Sequence, residues 1–318
     1  MRTPLFFGLK IILALVALGY IGHVVEWDAI WTAVQQANPL WIGAAVALLP
    51  LNVGLETYRW HRLVRRLAPE VEFAESLGAV LSGYPIGLAT PGRLGDYVGR
   101  ALFLRYGGKG ELAALTFAER MATLACCLVF GIGALLPFLF VHADVGGLAW
   151  STILGIGLAV TAVFVYLLLH PRVGHRVLEA LLPFERARRV LDVLDRYDRR
   201  EARLLLGLSA VRYGVFSLQF VLLAKAFAPA AAWLPAAQAV ALVFFAKSAI
   251  PSFTLADLGI REGAAVFFFG ALGLVEAAGF NAAFLLFCVN IALPAVIGLP
   301  LMLKWRIAPE ARPAEAPS

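Results

Sequence analysis

Gly83 to Leu104 reads GYPIGLATPGRLGDYVGRALFL, and Lys247 to Phe268 reads KSAIPSFTLADLGIREGAAVFF. Each interrupts an apolar run with proline, glycine and charge. A shift of 164 positions aligns Leu94 with Leu258, Gly95 with Gly259, Gly99 with Gly263, Ala101 with Ala265 and Phe103 with Phe267. Interrupted, charge-bearing segments at matching places in two halves of a hydrophobic chain point to a transporter's binding site. Five matches in a Gly/Ala/Leu-rich chain carry weight only through the topology around them.

The chain has 318 residues, 61% hydrophobic and 15% charged, with a mean hydropathy of +0.82. A soluble domain averages about 25% charged residues, so this composition excludes one. Six apolar segments have the length to cross a core of about 30 Å: 5–25, 40–57, 112–140, 148–169, 204–228 and 281–303. They predict an all-α integral membrane protein forming one polytopic domain over 1–305. The Pro/Ala/Glu-rich stretch 306–318 reads as a disordered tail. Leu5 to Val25 is too long for a signal-peptide core and has no clear small-x-small cleavage site, so it reads as a retained first span. Cys126, Cys127 and Cys288 fall inside spans, which suggests neither a disulfide framework nor a zinc site.

The net charge of +6 is explained by loops rather than by nucleic acid. Of the 27 Lys and Arg, 22 fall in the N-terminus, the 58–72 loop, the region after the first interrupted segment, the 170–203 loop and the C-terminus. The loops 26–39, 141–147, 229–235 and 276–280 carry none. The positive-inside rule then puts both termini in the cytoplasm of a bacterial inner membrane. The spans alternate correctly on one condition. Segment 73–110 must enter and leave on the cytoplasmic side, and 236–275 on the outer side. Each is then a re-entrant hairpin or a pair of short helices, and the two form an inverted repeat. In the 170–203 loop, Val190, Leu191, Leu194 and Tyr197 recur at helical spacing, predicting an amphipathic helix on the cytoplasmic leaflet.

Five basic residues remain outside these loops: Arg120, Arg212, Lys225, Lys247 and Arg261. A charge at the centre of a bilayer helix costs about 2.5–3.5 kcal/mol on the most lenient scale, so such residues tend to be paired, snorkelled or functional. Lys225 lies near a helix end and can snorkel; Arg212 is deeper. Arg120 has Glu119 beside it for a partner. Pro85, Pro91, Pro251, Gly95 and Gly259 are expected to break the helices. A helix restarting near Asp257 would point free N–H groups at the hairpin tip, a natural anion site. Arg261 adds a guanidinium suited to phosphate, and Arg93 offers the same from the other hairpin. Asp96 and Glu262 are the expected counter-charges or proton carriers. Arg93, Arg261, Asp96, Glu262, Arg120 and Lys247 make up the candidate substrate site, with no metal and no cofactor. The pair Glu26 and Asp28 leaves an alternative open, a membrane transferase using a lipid-phosphate donor.

The run TPGRLGD around Arg93 and the run from Ile250 to Gly263, with Leu258-Gly259-Ile260-Arg261-Glu262 at its heart, resemble the transmembrane region of lysylphosphatidylglycerol synthases. The resemblance spans about residues 10–303. Glu often stands in that family where this chain has Asp96, and a Gly pair often stands where it has Ala256-Asp257. The resemblance implies a stand-alone, flippase-like member without an aminoacyl-transferase domain, moving a lipid between leaflets rather than acting as an enzyme. It implies membrane lipids as partners: aminoacylated or other anionic phospholipid, polyprenyl-phosphate, or a hopanoid-type lipid. A non-transporting subunit of a lipid-biosynthesis enzyme is the other reading.

Overall fold

The computed structural model describes residues 35–90, 92–106, 108–142, 147–181, 193, 197–250 and 259–303. These are helical apart from short connections, with no strand among the described residues. A bilayer imposes this, because without water every backbone N–H and C=O must be bonded within its own segment.

Helices α1 (Pro39–Ala47) and α2 (Leu49–Val64) run on as one span of 26 residues. At 1.5 Å per residue such a span reaches about 39 Å, more than the hydrocarbon core requires. Then come α3 (Phe73–Leu88), α4 (Gly95–Phe103) and α5 (Lys109–His142). Helix α6 (Gly147–Leu169) gives way to α7 (Pro171–Leu181) through a bend of 109°. Helices α8 (Arg199–Phe227), α9 (Trp233–Ala249) and α10 (Ile260–Ala271) follow. The last span joins α11 (Glu276–Phe287), a π-helical turn at Cys288–Ala292, and α12 (Leu293–Leu303). Among the described residues, four helices are long and apolar enough to cross a membrane, or five with the bent pair. These elements cover five of the six predicted spans; the first, 5–25, lies outside the described residues. So do most of the predicted amphipathic helix, including Val190, Leu191 and Leu194, and the acidic pair Glu26 and Asp28.

Both interrupted segments are helix pairs broken near the expected place. In the first, α3 and α4 pack antiparallel: Gly78 meets Phe103, Gly83 meets Gly99, and Ile86 meets Gly95. The turn between them passes through Gly92 (φ 58°) and Arg93 (φ 56°). Thr90 stitches it, its hydroxyl donating to the Ile86 carbonyl at 3.1 Å and accepting from the Gly95 N–H at 2.7 Å. In the second, α9 packs against α10, and residues 251–258, Pro251 among them, lie outside the described residues, as does Pro91. Helix α10 opens at Gly259 (φ 97°), whose N–H donates to Glu262 Oε2 at 2.7 Å.

Pro85 corrects an expectation: it lies inside α3, which continues to Leu88. A proline cannot bond the carbonyl four residues back, here that of Leu81. That carbonyl instead faces Gly298 of α12, where the missing side chain allows the backbones to touch. A neighbouring helix thus keeps the freed carbonyl away from lipid.

The last span is the central pillar. Of its apolar stretch 61% is buried, against 22–28% in the other three spans. The two hairpins pack on its opposite halves: Gly279 receives Phe269 and Ala265 of α10, and Gly298 receives Leu81 and Pro85 of α3. Those contacts are 19 residues apart, about 28 Å along a helix. Between them lies the π-helical turn, just ahead of Pro294. Pro294 supplies no N–H to the Asn290 carbonyl and crowds it, so the helix widens there rather than closing a regular turn.

Candidate functional site

The turn of the first hairpin and the start of α10 in the second face one cavity of about 230 Å³. Arg93 reaches it from the first hairpin, Lys247 and Arg261 from the second, Arg120 from α5, Arg212 from α8, and Asn290 from the π-helical turn. Four of the six predicted substrate-site residues therefore share one space. The other two lie behind it. Asp96 is fully buried beneath Arg120, and Glu262 accepts from Arg261 Nη2 at 2.6 Å.

The cations are held in place by a buried network that extends well beyond the predicted residues. Arg100 sits at its centre, fully buried. Its Nε donates to Asp96 at 2.9 Å, its Nη1 to Glu119 at 2.7 Å, and its Nη2 to Glu56. Glu56 also accepts from Arg212 at 2.6 Å and from the Tyr84 hydroxyl at 2.8 Å. Asp96 accepts from Arg120, and Glu119 from Arg59. Arg59 donates further to Thr123 at 3.1 Å and Ser209 at 2.8 Å. Three carboxylates thus spread their acceptor oxygens among four guanidinium groups on α2, α4, α5 and α8. A buried charge left unpaired is costly, and shared bonds of this kind are what make the cluster tolerable.

Sequence reading assigned Arg59 and Arg100 to interfacial loops; both are buried. Charge next to a span end looks the same whether the helix stops or continues. The available signal was spacing. Asn52, Glu56 and Arg59 stand at i, i+4 and i+7, placing three polar groups on one helical face. Asn52 extends that face into an amide cluster, donating to Asn290 at 2.6 Å and to Gln219 at 3.3 Å.

Two cavity arginines differ from the network. Arg93 stacks over the Tyr84 ring at 5.0 Å. Its Nε and Nη2 are buried without a hydrogen-bond partner. It also sits at positive φ, which costs a side-chain-bearing residue roughly 1–2 kcal/mol. Arg261 lies 5.9 Å from the Phe287 ring, and its Nε is likewise buried and unpartnered. Arg212 Nε is a fourth such donor, and Arg59 Nε, within the network, is a fifth. Buried donors without partners are uncommon and call for an acceptor. The cavity with the network behind it holds seven cations, Arg59, Arg93, Arg100, Arg120, Arg212, Lys247 and Arg261. Facing them, among the described residues, are the carboxylates Glu56, Asp96, Glu119 and Glu262.

The opposite wall is aromatic. Phe244 stacks on Phe216 at 5.2 Å and meets Tyr213 edge-on at 5.8 Å. Tyr213 in turn stacks on Phe130 at 4.7 Å, and Phe130 is exposed on the outer face of α5. One side of the cavity suits an anion, and the other leads through aromatic rings toward the lipid-facing surface.

In sequence, residues 7–298 match the family model described as lysylphosphatidylglycerol synthase TM region. No curated protein matches the chain.

Proposed function

The chain belongs to the lysylphosphatidylglycerol synthase TM region family, a multi-pass membrane setting for lipid modification or transport, and from that premise we propose that it moves a phosphate-bearing lipid across the bilayer. The observation that carries this reading is the meeting of Arg93 and Arg261, from two different hairpins, in one cavity with buried unpartnered donors. A phosphodiester supplies the missing acceptors, and guanidinium pairs with it through parallel hydrogen bonds. Arg120, Arg212 and Lys247 add charge around the headgroup, while Asp96 and Glu262 act as counter-charges. The aromatic wall of Tyr213, Phe216 and Phe244 is the side from which an acyl or prenyl tail would leave toward lipid.

The unpartnered guanidinium donors of Arg93, Arg212 and Arg261 select among cargoes. An aminoacyl headgroup brings its own ammonium into the cavity. At about 6 Å from one guanidinium, with an effective dielectric near 20, that repulsion is about 3 kcal/mol. The reading therefore favours a headgroup of net negative charge, an anionic phospholipid or a polyprenyl-phosphate, over an aminoacylated one.

Reconstitution in vesicles with fluorescent phosphatidylglycerol and its lysyl ester tests this. Wild type should move phosphatidylglycerol faster than an Arg93→Gly/Arg261→Ala variant and faster than it moves the ester. Equal rates for wild type and the double variant would remove the transport assignment for that lipid.

A further inference from the structure

A second cavity, of about 250 Å³, opens where α7 bends away from α6. Phe117 and Met121 of α5, Phe164 and Leu168 of α6, Leu178 of α7 and Leu205 of α8 form its walls. Three polar side chains line it, His175, Tyr197 and Glu201, and His175 stands 4.0 Å from Glu179 on its own helix. Tyr197 donates from its hydroxyl to the Leu63 carbonyl at 2.5 Å, and Glu201 accepts from Arg62 and Arg66 at 2.8 and 2.5 Å. The interior is thus a largely apolar slot.

The slot continues onto a charged shelf. Pro171 and Tyr197 line both the slot and an adjoining depression that carries Arg172, Arg176, Arg199, Arg200 and Asp198. All four arginines are exposed, and the single carboxylate is occupied as the cap of α8, accepting from the Glu201 N–H at 2.8 Å. Helix α7 is bent 109° from the helix before it, so it lies across the direction of that span rather than along it. A helix so placed, basic on one face and apolar on the other, belongs at headgroup depth.

We propose that slot and shelf together form a second lipid site, separate from the central cavity. It would hold an anionic phospholipid of the leaflet that α7 faces. One acyl chain fills the slot and the phosphate rests on Arg172, Arg176 and Arg200. The argument is charge complementarity joined to continuity: four exposed guanidinium groups border the mouth of an apolar cleft, where arginine attracts anionic headgroups. A zwitterionic lipid would fill the same slot without satisfying the shelf.

Native mass spectrometry of the full chain in detergent tests the proposal, with phosphatidylglycerol or phosphatidylcholine of equal chain length added. Wild type should retain phosphatidylglycerol about tenfold more strongly than phosphatidylcholine. An Arg172→Gln/Arg176→Gln/Arg200→Gln variant, altered only at exposed side chains, should lose that preference at one bound lipid. The Arg93→Gly/Arg261→Ala variant should keep this lipid even where transport is lost, which separates the two sites. Equal retention of both lipids by wild type, or an unchanged preference in the triple variant, would overturn the proposal. So would retention of neither lipid, since the slot would then be closed by the protein's own chain. Competition by inorganic phosphate without displacement of the acyl chain would show a bare anion site and equally defeat it.

Discussion

Gly95 and Gly99 in the first hairpin let α4 lie directly on α3: a Cβ at Gly99 would stand 2.6 Å from Gly83 Cα, and one at Gly95 would strike the Ile86 carbonyl. A Cβ at their repeat partners Gly259 and Gly263 would meet nothing within 4 Å among the described residues. Gly259 is needed for its positive φ, and Gly263 is exposed on α10. The charges divide in the same way. Asp96 and Arg100 bind the first hairpin to α2 and α5 through Glu56, Glu119 and Arg120. Arg261 pairs with its own neighbour Glu262, and among the described residues no ion pair joins α10 to another helix. Two segments alike in sequence are therefore unlike mechanically. One is fixed into the charged core, and the other carries its counter-charge with it.

The sharpest test of the fixed half is Arg100→Met. Removing the centre of the network leaves Glu56, Asp96 and Glu119 each short of a buried donor, and breaking such a cluster costs about 3–5 kcal/mol. Thermal unfolding in detergent should show a large loss, or folded protein should not be recovered. Retention of near-wild-type stability would mean that the first hairpin is not held by charge.

The second hairpin should respond in rate rather than in stability. Arg261→Ala/Glu262→Ala removes cation and counter-charge together. It forfeits the Gly259 N–H contact, a cost of about 1 kcal/mol. Lipid movement in vesicles should fall by roughly tenfold or more, the scale of one lost charge-assisted contact. Arg93→Gly should behave alike, because glycine accepts φ 56° without strain. If either variant unfolded as Arg100→Met is expected to, the contrast between the two hairpins would vanish.

Much of this arrangement could be read from sequence because lipid makes apolar length a code for spans, and Pro/Gly clusters within apolar runs mark where helices break. Both hairpin breaks, and the convergence of Arg93, Arg120, Lys247 and Arg261, follow from those rules. The charged core did not. Glu56, Arg59 and Arg100 flank apolar stretches, and beyond the helical spacing of Asn52, Glu56 and Arg59 no local signal distinguishes a charge at a helix end from one folded inward under a neighbouring hairpin. Their burial is decided by α4 lying flat on α3, a tertiary contact that depends on Gly83 and Gly99 meeting. Pro85 misled for a related reason. The carbonyl it frees is covered by another helix, at Gly298, more than two hundred residues away.

The aligned glycines give the finest test of the comparison. Gly99→Ala places a methyl against the Gly83 backbone, which has no flexible side chain to yield, and overpacking of this kind costs about 1–3 kcal/mol. The hairpin would have to open by a few tenths of an ångström, disturbing Asp96 and Arg100 beside it. Gly263→Ala at the matching position meets open space in an exposed turn of α10. There the exchange of glycine for alanine favours the helix by up to about 1 kcal/mol. Unfolding midpoints should therefore move in opposite directions for two substitutions that the repeat treats as equivalent. Equal losses at both positions would show that α10 is packed against a partner as tightly as α4 is, and the mechanical asymmetry of the hairpins would fall with that result.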